Sequence, residues 1–166
     1  MSTDKFIKNK TVLITLISAC AIVIVSLGIR LTFGIFYFDF STDLGITLSQ
    51  FGFALGLQMF LWGAFAPWFG VITDKYGGHI AVFIGFVFYL SGILMLVSEY
   101  NTGLYFVTGI GVLIGVALGG TAISIPVSVV AKHFHDSNRT VAIGIVTAAG
   151  SFGYFVSPVF TRYSLV

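Results

Sequence analysis

Long apolar runs separated by short polar connections make up most of this chain. Uncharged runs cover residues 11–29, 44–73, 76–98, 100–131 and 140–161. Each run reaches the roughly 20 residues that an α-helix needs to cross the hydrocarbon core of a bilayer. After a tail over residues 1–10, the pattern predicts one transmembrane domain over 11–166, with five helices near 11–38, 48–72, 79–98, 103–131 and 140–161.

The composition points to lipid as the surroundings of these helices. Only 8% of the 166 residues are charged, whereas soluble domains carry about 25%. The net charge of +2 is too small and too scattered for a nucleic-acid-binding surface. Cys20 is the only cysteine, which excludes an intrachain disulfide and a thiolate metal cluster. We therefore expect an all-α membrane protein in a lipid bilayer, with no nucleic-acid partner and no cofactor.

The charges between the helices predict the orientation of the chain. The basic residues lie in the N-terminal tail and in the second and fourth connections: Lys5, Lys8, Lys10, Lys75, Lys132 and Arg139. The first and third connections carry acidic residues instead: Asp39, Asp43 and Glu99. Because Lys and Arg are concentrated in cytoplasmic loops, we expect a cytoplasmic N-terminus and an external C-terminus.

Arg30 is the only charged residue well inside an apolar run. Arginine at a helix centre costs about 2.5–3.5 kcal/mol on insertion scales, so it needs a partner, water or a route to the interface. It either reaches the outer headgroups or pairs with Asp39 or Asp43, or it faces a polar cavity where it binds an anionic substrate. Polar residues on one side of this first helix favour the cavity: Thr15, Ser18, Ser26, Arg30 and Tyr37.

The second predicted helix has two opposed faces. Its glycines share one face and predict a helix-packing seam: Gly52, Gly56, Gly63 and Gly70. Gln58 and Trp62 lie on the other face. Lipid cannot satisfy an amide, so we expect Gln58 to face protein or a wet cavity. Trp62 either packs against a neighbouring helix or stacks on a substrate.

The fourth helix repeats glycine at every fourth position, which predicts a second close-approach seam: Gly111, Gly115 and Gly119. The opposite face presents Thr121 and Ser124, and Pro126 is expected to bend the helix. These hydroxyls either line a binding cavity or bond back to carbonyls of their own helix. The third helix has few polar residues and is expected to face lipid at the periphery.

The fifth helix places small and polar residues on one side: Gly144, Thr147, Gly150, Ser151, Tyr154 and Pro158. Such a face is either a packing seam or a cavity wall. Tyr154 is the residue on it that we most expect to contact a substrate. Before this helix, His133 and His135 stand beside Asp136, but no further ligand set accompanies them, so a solvated turn is favoured over a metal site.

The connection between the second and third helices has a recognisable pattern. Gly70 is followed after three residues by Asp74 and Lys75, and after one more residue by Gly77. This spacing resembles the signature loop of the major facilitator superfamily of secondary transporters. The two basic residues that end the family's pattern are missing, because Gly78 and then a histidine follow. The resemblance implies that Gly70, Asp74, Lys75 and Gly77 form a conformational loop on the cytoplasmic side.

The similarity extends over nearly the whole chain. The segments 28–34, 43–45, 57–63, 119–121 and 144–153 are similar to the bacterial transporters related to monocarboxylate and oxalate/formate carriers. That group has twelve helices in two halves, with the substrate at the midplane between them. The resemblance implies a bacterial inner-membrane carrier for a small organic anion. Its expected substrate-binding residues are Arg30, Tyr37, Gln58, Trp62, Thr121, Ser124, Thr147 and Tyr154.

Three departures from the family limit these expectations. The Gly-Pro signature of drug antiporters is absent from the fifth helix. The arginine found early in the fourth helix of many members has no counterpart. Five helices correspond to an incomplete N-terminal half, so the sequence is interpreted as the N-terminal part of a carrier whose C-terminal half is a missing partner. The alternative is a small standalone membrane protein that assembles through its glycine faces. An enzyme is disfavoured, because the sequence shows no nucleophile–His–acid set, no intramembrane acid pair and no metal cluster.

Overall fold

The computed structural model describes residues 10–97, 103–134 and 136–164, apart from the side chains of 136, 137, 158 and 160–164. Of the described residues, 94% are helical and none forms a strand. The elements in chain order are α1 (Lys10–Ile35), α2 (Tyr37–Leu44), α3 (Leu48–Tyr76), α4 (Gly78–Val97), α5 (Gly103–Phe106), a π-helical segment (Val107–Leu113), α6 (Ile114–Thr121), α7 (Ser124–His133) and α8 (Asp136–Ser164). The all-α class is confirmed.

Five helical stretches are long and apolar enough to cross a membrane: Lys10–Ile35, Leu48–Tyr76, Gly78–Val97, Gly103–His133 and Asn138–Ser157. The predicted number of spans is therefore confirmed for the described residues. The first span differs in one respect, because α1 ends at Ile35 and Tyr37 begins the separate helix α2. The expectation that Tyr37 continues the polar side of α1 is wrong.

The described chain divides into two compact units. One unit contains the chain up to Thr32 and from Ala122 onward, and it is built from α1, α7 and α8. The other unit is Phe33–Thr121 and contains α2, α3, α4 and the fourth span as far as α6. Each unit has its own close-packed glycine contacts, which are described separately below.

In the Phe33–Thr121 unit, the predicted glycine seam of the fourth span is confirmed. A Cβ added to Gly115 would lie 3.0 Å from the Cα and carbonyl oxygen of Gln58, and one added to Gly111 would lie 3.2 Å from the carbonyl oxygen of Ala54. These distances mean that the backbones of α3 and the fourth span are in direct contact. Close approach of this kind compensates for the absence of a hydrophobic driving force between helices in lipid.

The predicted glycine seam of α3 is wrong within the described chain. A Cβ at any of its four glycines would meet no other atom within 4 Å: Gly52, Gly56, Gly63 and Gly70. The buried residues of α3 lie elsewhere on the helix: Phe51, Ala54, Gln58, Phe69 and Thr73. The glycines that approach α3 come from its partner helix instead. A glycine stripe permits close approach, but it does not by itself select a partner.

The helix α4 packs more closely than its apolar sequence predicts. A Cβ added to Gly85 would lie 3.0 Å from the Ala117 carbonyl oxygen, and one added to Gly92 would lie 3.0 Å from the Gly109 carbonyl oxygen. Other residues of α4 remain exposed, including Phe83 and Leu94. The expected apolar outer face is therefore present, and a glycine-lined packing face, which was not predicted, lies on the same helix.

The fourth span is not one continuous α-helix. The π-helical segment Val107–Leu113 interrupts its first half, and residues 122 and 123 separate α6 from α7. A proline ring clashes with the carbonyl four residues earlier, and the residue four positions before Pro126 is Ala122. The predicted proline bend is thus confirmed, one turn ahead of the proline itself.

In the other unit, α1 and α8 are joined through small residues. A Cβ added to Gly153 would lie 2.6 Å from the Ile24 carbonyl oxygen, and one added to Gly28 would lie 3.0 Å from the Cβ of Ser157. The Thr32 and Ser157 hydroxyls are hydrogen-bonded at 2.7 Å, so a polar contact accompanies the backbone contact.

Candidate functional site

Arg30 lies near the end of α1 and is half-buried. It is twenty residues beyond Lys10, which corresponds to about 30 Å along the helix. Ser26, one turn earlier on the same side, is only 5% exposed. Residues four apart are neighbours on a helix surface, so the cation stands next to a buried hydroxyl rather than on a wholly apolar surface.

Three more of the expected substrate-binding residues belong to the same unit as Arg30. Tyr154 is half-buried and follows Gly153, the residue at which α8 touches α1. Thr147 is exposed, and its Oγ1 donates to the carbonyl of Ile143 at 3.0 Å. Ser124 is the exposed first residue of α7. Tyr154 therefore follows directly after the point where the backbone of α8 touches α1.

A groove of about 230 Å³ runs along this α1–α8 contact. Its lining is mainly apolar: Ile24, Val25, Gly28, Ile29, Gly153, Val156 and Ser157. The Thr32–Ser157 hydroxyl pair lies beside it. Neither hydroxyl was predicted as functional. The available signal was that Thr32 lies only two residues from Arg30 in the sequence.

The other four expected residues lie in the Phe33–Thr121 unit. The ring of Tyr37 meets the ring of Phe51 edge-on, with centroids 5.0 Å apart. Trp62 is half-buried on α3. An aromatic cluster continues from Phe51 to Phe106 at 5.9 Å, and Phe106 is fully buried. Tyr37 is thus attached to the end of a packed aromatic cluster.

Gln58 and Thr121 are buried polar residues with local hydrogen bonds. The Gln58 side chain is fully buried, and its Nε2 donates to the Ile110 carbonyl at 3.0 Å. Thr121 Oγ1 donates to the Ala117 carbonyl at 3.0 Å, and its methyl group lies where α4 approaches at Gly85. Of the alternatives left open by the sequence, Gln58 faces protein and Thr121 bonds back to its own helix.

The charged pair Asp74 and Lys75, both exposed, lies in the last turn of α3, so Gly77 is the only one of the four expected loop residues that stands outside the helix. Lys75 Nζ lies 5.2 Å from the ring centroid of Tyr76. The helix ends at Gly77, which has a φ of 94° and donates its N–H to the Thr73 carbonyl. A positive φ is readily adopted only by glycine, so Gly77 is required by the turn. Gly70, expected to let two helices approach, adjoins no other helix within 4 Å.

The histidine connection has a simple local structure as far as it is described. The Nδ1 atom of His133 lies 2.8 Å from the Val129 carbonyl oxygen, one turn back in α7. His135 and the side chain of Asp136 lie outside the described residues. Among the residues that the structure describes, no group of three or more His, Cys, Asp or Glu side chains converges.

The model of the Major Facilitator Superfamily matches residues 18–165. Neither the curated proteins nor the solved structures returned a match. The family match begins within the first span and includes the other four, with the segment from Gly70 to Gly77. The chain therefore belongs to the Major Facilitator Superfamily of membrane transporters.

Proposed function

We propose that this transporter carries a small organic anion such as a monocarboxylate, and that Arg30 binds the anionic group. The position of Arg30 supports the proposal most directly, because a half-buried guanidinium lies on a membrane-spanning helix beside a buried hydroxyl. A cation on such a helix is costly unless it is used or compensated. Binding an anion there gives the charge a function.

The chemistry of the surrounding groups suits a carboxylate. A guanidinium is planar and donates two parallel hydrogen bonds to a carboxylate, which an ammonium group cannot do. Tyr154 is the proposed partner on α8, and a phenol hydroxyl donates a further hydrogen bond to such a ligand. Ser124 and Thr147 belong to the same unit, and their part in binding remains a prediction.

Tyr37 and Trp62 stay in the proposal as separate substrate contacts in the second unit. An aromatic ring offers an apolar face to the carbon skeleton of an organic anion, and tyrosine adds a hydroxyl. Gln58 and Thr121 were also expected to bind substrate. Their buried bonds to helix carbonyls support roles in holding the fourth span instead.

The proposed carrier works by alternating access, in which two halves move about a shared site. The five described spans account for part of one half. The N-terminus is proposed to lie in the cytoplasm of a bacterial cell, which places Asp74 and Lys75 on the cytoplasmic side. There they would hold the loop against the facing half of the carrier in one of its two states.

The test is the affinity for carboxylates in proteoliposomes that contain the intact gene product. Arg30→Lys keeps the charge, and Arg30→Gln keeps hydrogen bonding without the charge. Losing a charge-assisted bidentate contact should cost about 1.5–3 kcal/mol, or roughly ten- to more than a hundredfold in affinity. Arg139, exposed near the start of α8, provides the matched control, because Arg139→Lys should leave affinity unchanged.

Unchanged affinity in both Arg30 variants, at equal protein incorporation, would remove the support for an anionic substrate. It would indicate instead that Arg30 extends to the outer headgroups, a role that lysine also performs. The transporter family would stand, since it rests on the family match rather than on this residue.

A second candidate function follows from the exposed glycines of α3. Gly52, Gly56 and Gly63 adjoin no other helix within 4 Å, although glycines at this spacing favour close helix packing. They are consistent with a protein that acts by assembling with other membrane helices. Gly56→Leu should then abolish crosslinking between copies of the chain, whereas Gly144→Leu, also at an open position, should not. Equal crosslinking in the two variants would leave this candidate without support.

A further inference from the structure

A π-helical segment in a membrane span creates a specific problem of hydrogen bonding. In the α-helix the N–H of Ile114 would donate to the carbonyl of Ile110, four residues earlier. Here the Ile114 N–H bonds to the Gly109 carbonyl, five residues earlier. The Ile110 carbonyl is therefore passed over by its usual donor. In a dry helix interface an unsatisfied carbonyl is costly.

The side chain of Gln58 supplies the missing donor. Its Nε2 donates to the Ile110 carbonyl at 3.0 Å, across a sequence separation of 52 residues. Gln58 is fully buried, and so is Ile110. A Cβ at Gly115 would lie 3.0 Å from the Gln58 Cα, so the backbone of the fourth span comes close enough for the amide to reach it. The Gln58 amide thus donates to the carbonyl that the π-helical turn leaves without its usual donor.

The register of the π segment also decides where the preceding residues point. One extra residue in a helical turn rotates everything before it by about 100° relative to a continuous α-helix. Phe106 immediately precedes the segment, is fully buried, and meets the ring of Phe40 at 5.1 Å. Conversion of the segment to α-helix without loss of a residue would turn Phe106 out of this cluster. Leu104, which is 71% exposed, would turn with it.

We propose that Gln58 is a positioning residue that holds Val107–Leu113 in the π-helical register by donating to Ile110. Through this register it keeps Phe106 in the aromatic cluster with Phe40 and Phe51. Because Phe51 also meets Tyr37, the same contact fixes the start of α2. The inference does not depend on the proposed substrate, because it concerns the conformation of the Phe33–Thr121 unit alone.

The first experiment measures the rotation directly. Spin labels are attached to cysteines in Leu104→Cys and Phe83→Cys, both exposed positions, in a Cys20→Ser background of the full chain. Gln58→Leu removes the donor at similar size, so the segment should revert to α-helix and the label-to-label distance should shift by several ångström. Phe60→Leu, an exposed change on the same helix, serves as the control and should leave the distance unchanged. An unchanged distance in Gln58→Leu would overturn the proposal.

The second experiment measures stability, and its comparison of the deletion with the double variant still decides the matter if Gln58→Leu alone yields too little folded protein, because the proposal requires the double variant to be the more stable of the two. A π segment differs from an α-helix by one residue in a turn, so deletion of Val107 should convert it to α-helix while keeping Phe106 in place. The deletion alone returns Ile110 to its usual donor and deprives the Gln58 amide of its acceptor, which should lower the thermal unfolding midpoint in detergent.

Gln58→Leu alone should also lower the midpoint, because the return to α-helix without loss of a residue turns Phe106 out of its buried aromatic cluster. The double variant has neither the Gln58 amide nor an Ile110 carbonyl that needs it as a donor. Its unfolding midpoint should therefore return most of the way to the wild-type value. If Gln58 only filled space, the decreases in midpoint of the two single variants would add in the double variant. Such additivity would overturn the proposal.

Discussion

Gly153 and Ile24 bring α8 and α1 into backbone contact, since a Cβ on Gly153 would lie 2.6 Å from the Ile24 carbonyl oxygen. A helix backbone cannot yield as a flexible side chain can, so any larger residue at this position must separate the two helices. The same contact sets the position of Tyr154, the next residue along α8, relative to α1. Packing and the proposed substrate site are therefore linked at Gly153.

Gly153→Ala should destabilise the protein by about 1–3 kcal/mol, the usual cost of overpacking. Gly144→Ala on the same helix is the matched control, because a Cβ there meets nothing within 4 Å. At Gly144 alanine should be neutral or stabilising by up to about 1 kcal/mol, through its better helix propensity. Thermal unfolding in detergent measures both. Equal effects of the two substitutions would show that α1 and α8 do not meet in this way.

Thr32 and Ser157 should be energetically coupled. Their hydroxyl oxygens are 2.7 Å apart, and Thr32 Oγ1 also donates to the Gly28 carbonyl at 3.0 Å. A double-mutant cycle with Thr32→Val and Ser157→Ala should give a coupling energy of about 0.6 kcal/mol, the average for interhelical hydrogen bonds in membranes. The cycle isolates the pair from the separate Gly28 bond. Strictly additive effects would contradict the contact.

Gly77→Ala should destabilise the loop between α3 and α4. The φ of 94° is costly for any residue with a Cβ, by about 1–3 kcal/mol. Gly70→Ala provides the comparison, since Gly70 lies inside α3 with open space around it and should tolerate alanine. The measurement is the unfolding midpoint, together with the rate of proteolysis at the loop. Faster cleavage in Gly70→Ala than in Gly77→Ala would contradict the assignment.

The orientation predicted from the basic residues is tested with reporter fusions. Fusions at Asp43, His79, Tyr100 and His135 should report outside, inside, outside and inside in turn, because Lys and Arg are concentrated in cytoplasmic connections. A reporter that is active only in the periplasm and one that is active only in the cytoplasm should give opposite patterns of activity along these four positions. Two consecutive fusions on the same side would contradict either the number of crossings or their direction.

The sequence by itself determined the features that depend on local chemistry. Five apolar stretches of sufficient length require five spans, because only a helix satisfies its own backbone in lipid. Pro126 predicts a bend in the fourth span, since its ring clashes with the carbonyl four residues earlier, and the span is interrupted there. Gly77 marks the end of α3, because only glycine adopts its φ easily. The motif around Gly77 also identified the superfamily.

Only the tertiary structure decided which faces meet. Lipid and protein interiors are both apolar, so the hydrophobic pattern does not distinguish a packed face of a membrane helix from an exposed one. For this reason the glycines of α3 were expected to pack and are open, whereas Gly85 and Gly92 of α4 pack closely. The partner of Gln58 could not be predicted either, because a π-helical turn passes over the Ile110 carbonyl and no periodicity marks that turn.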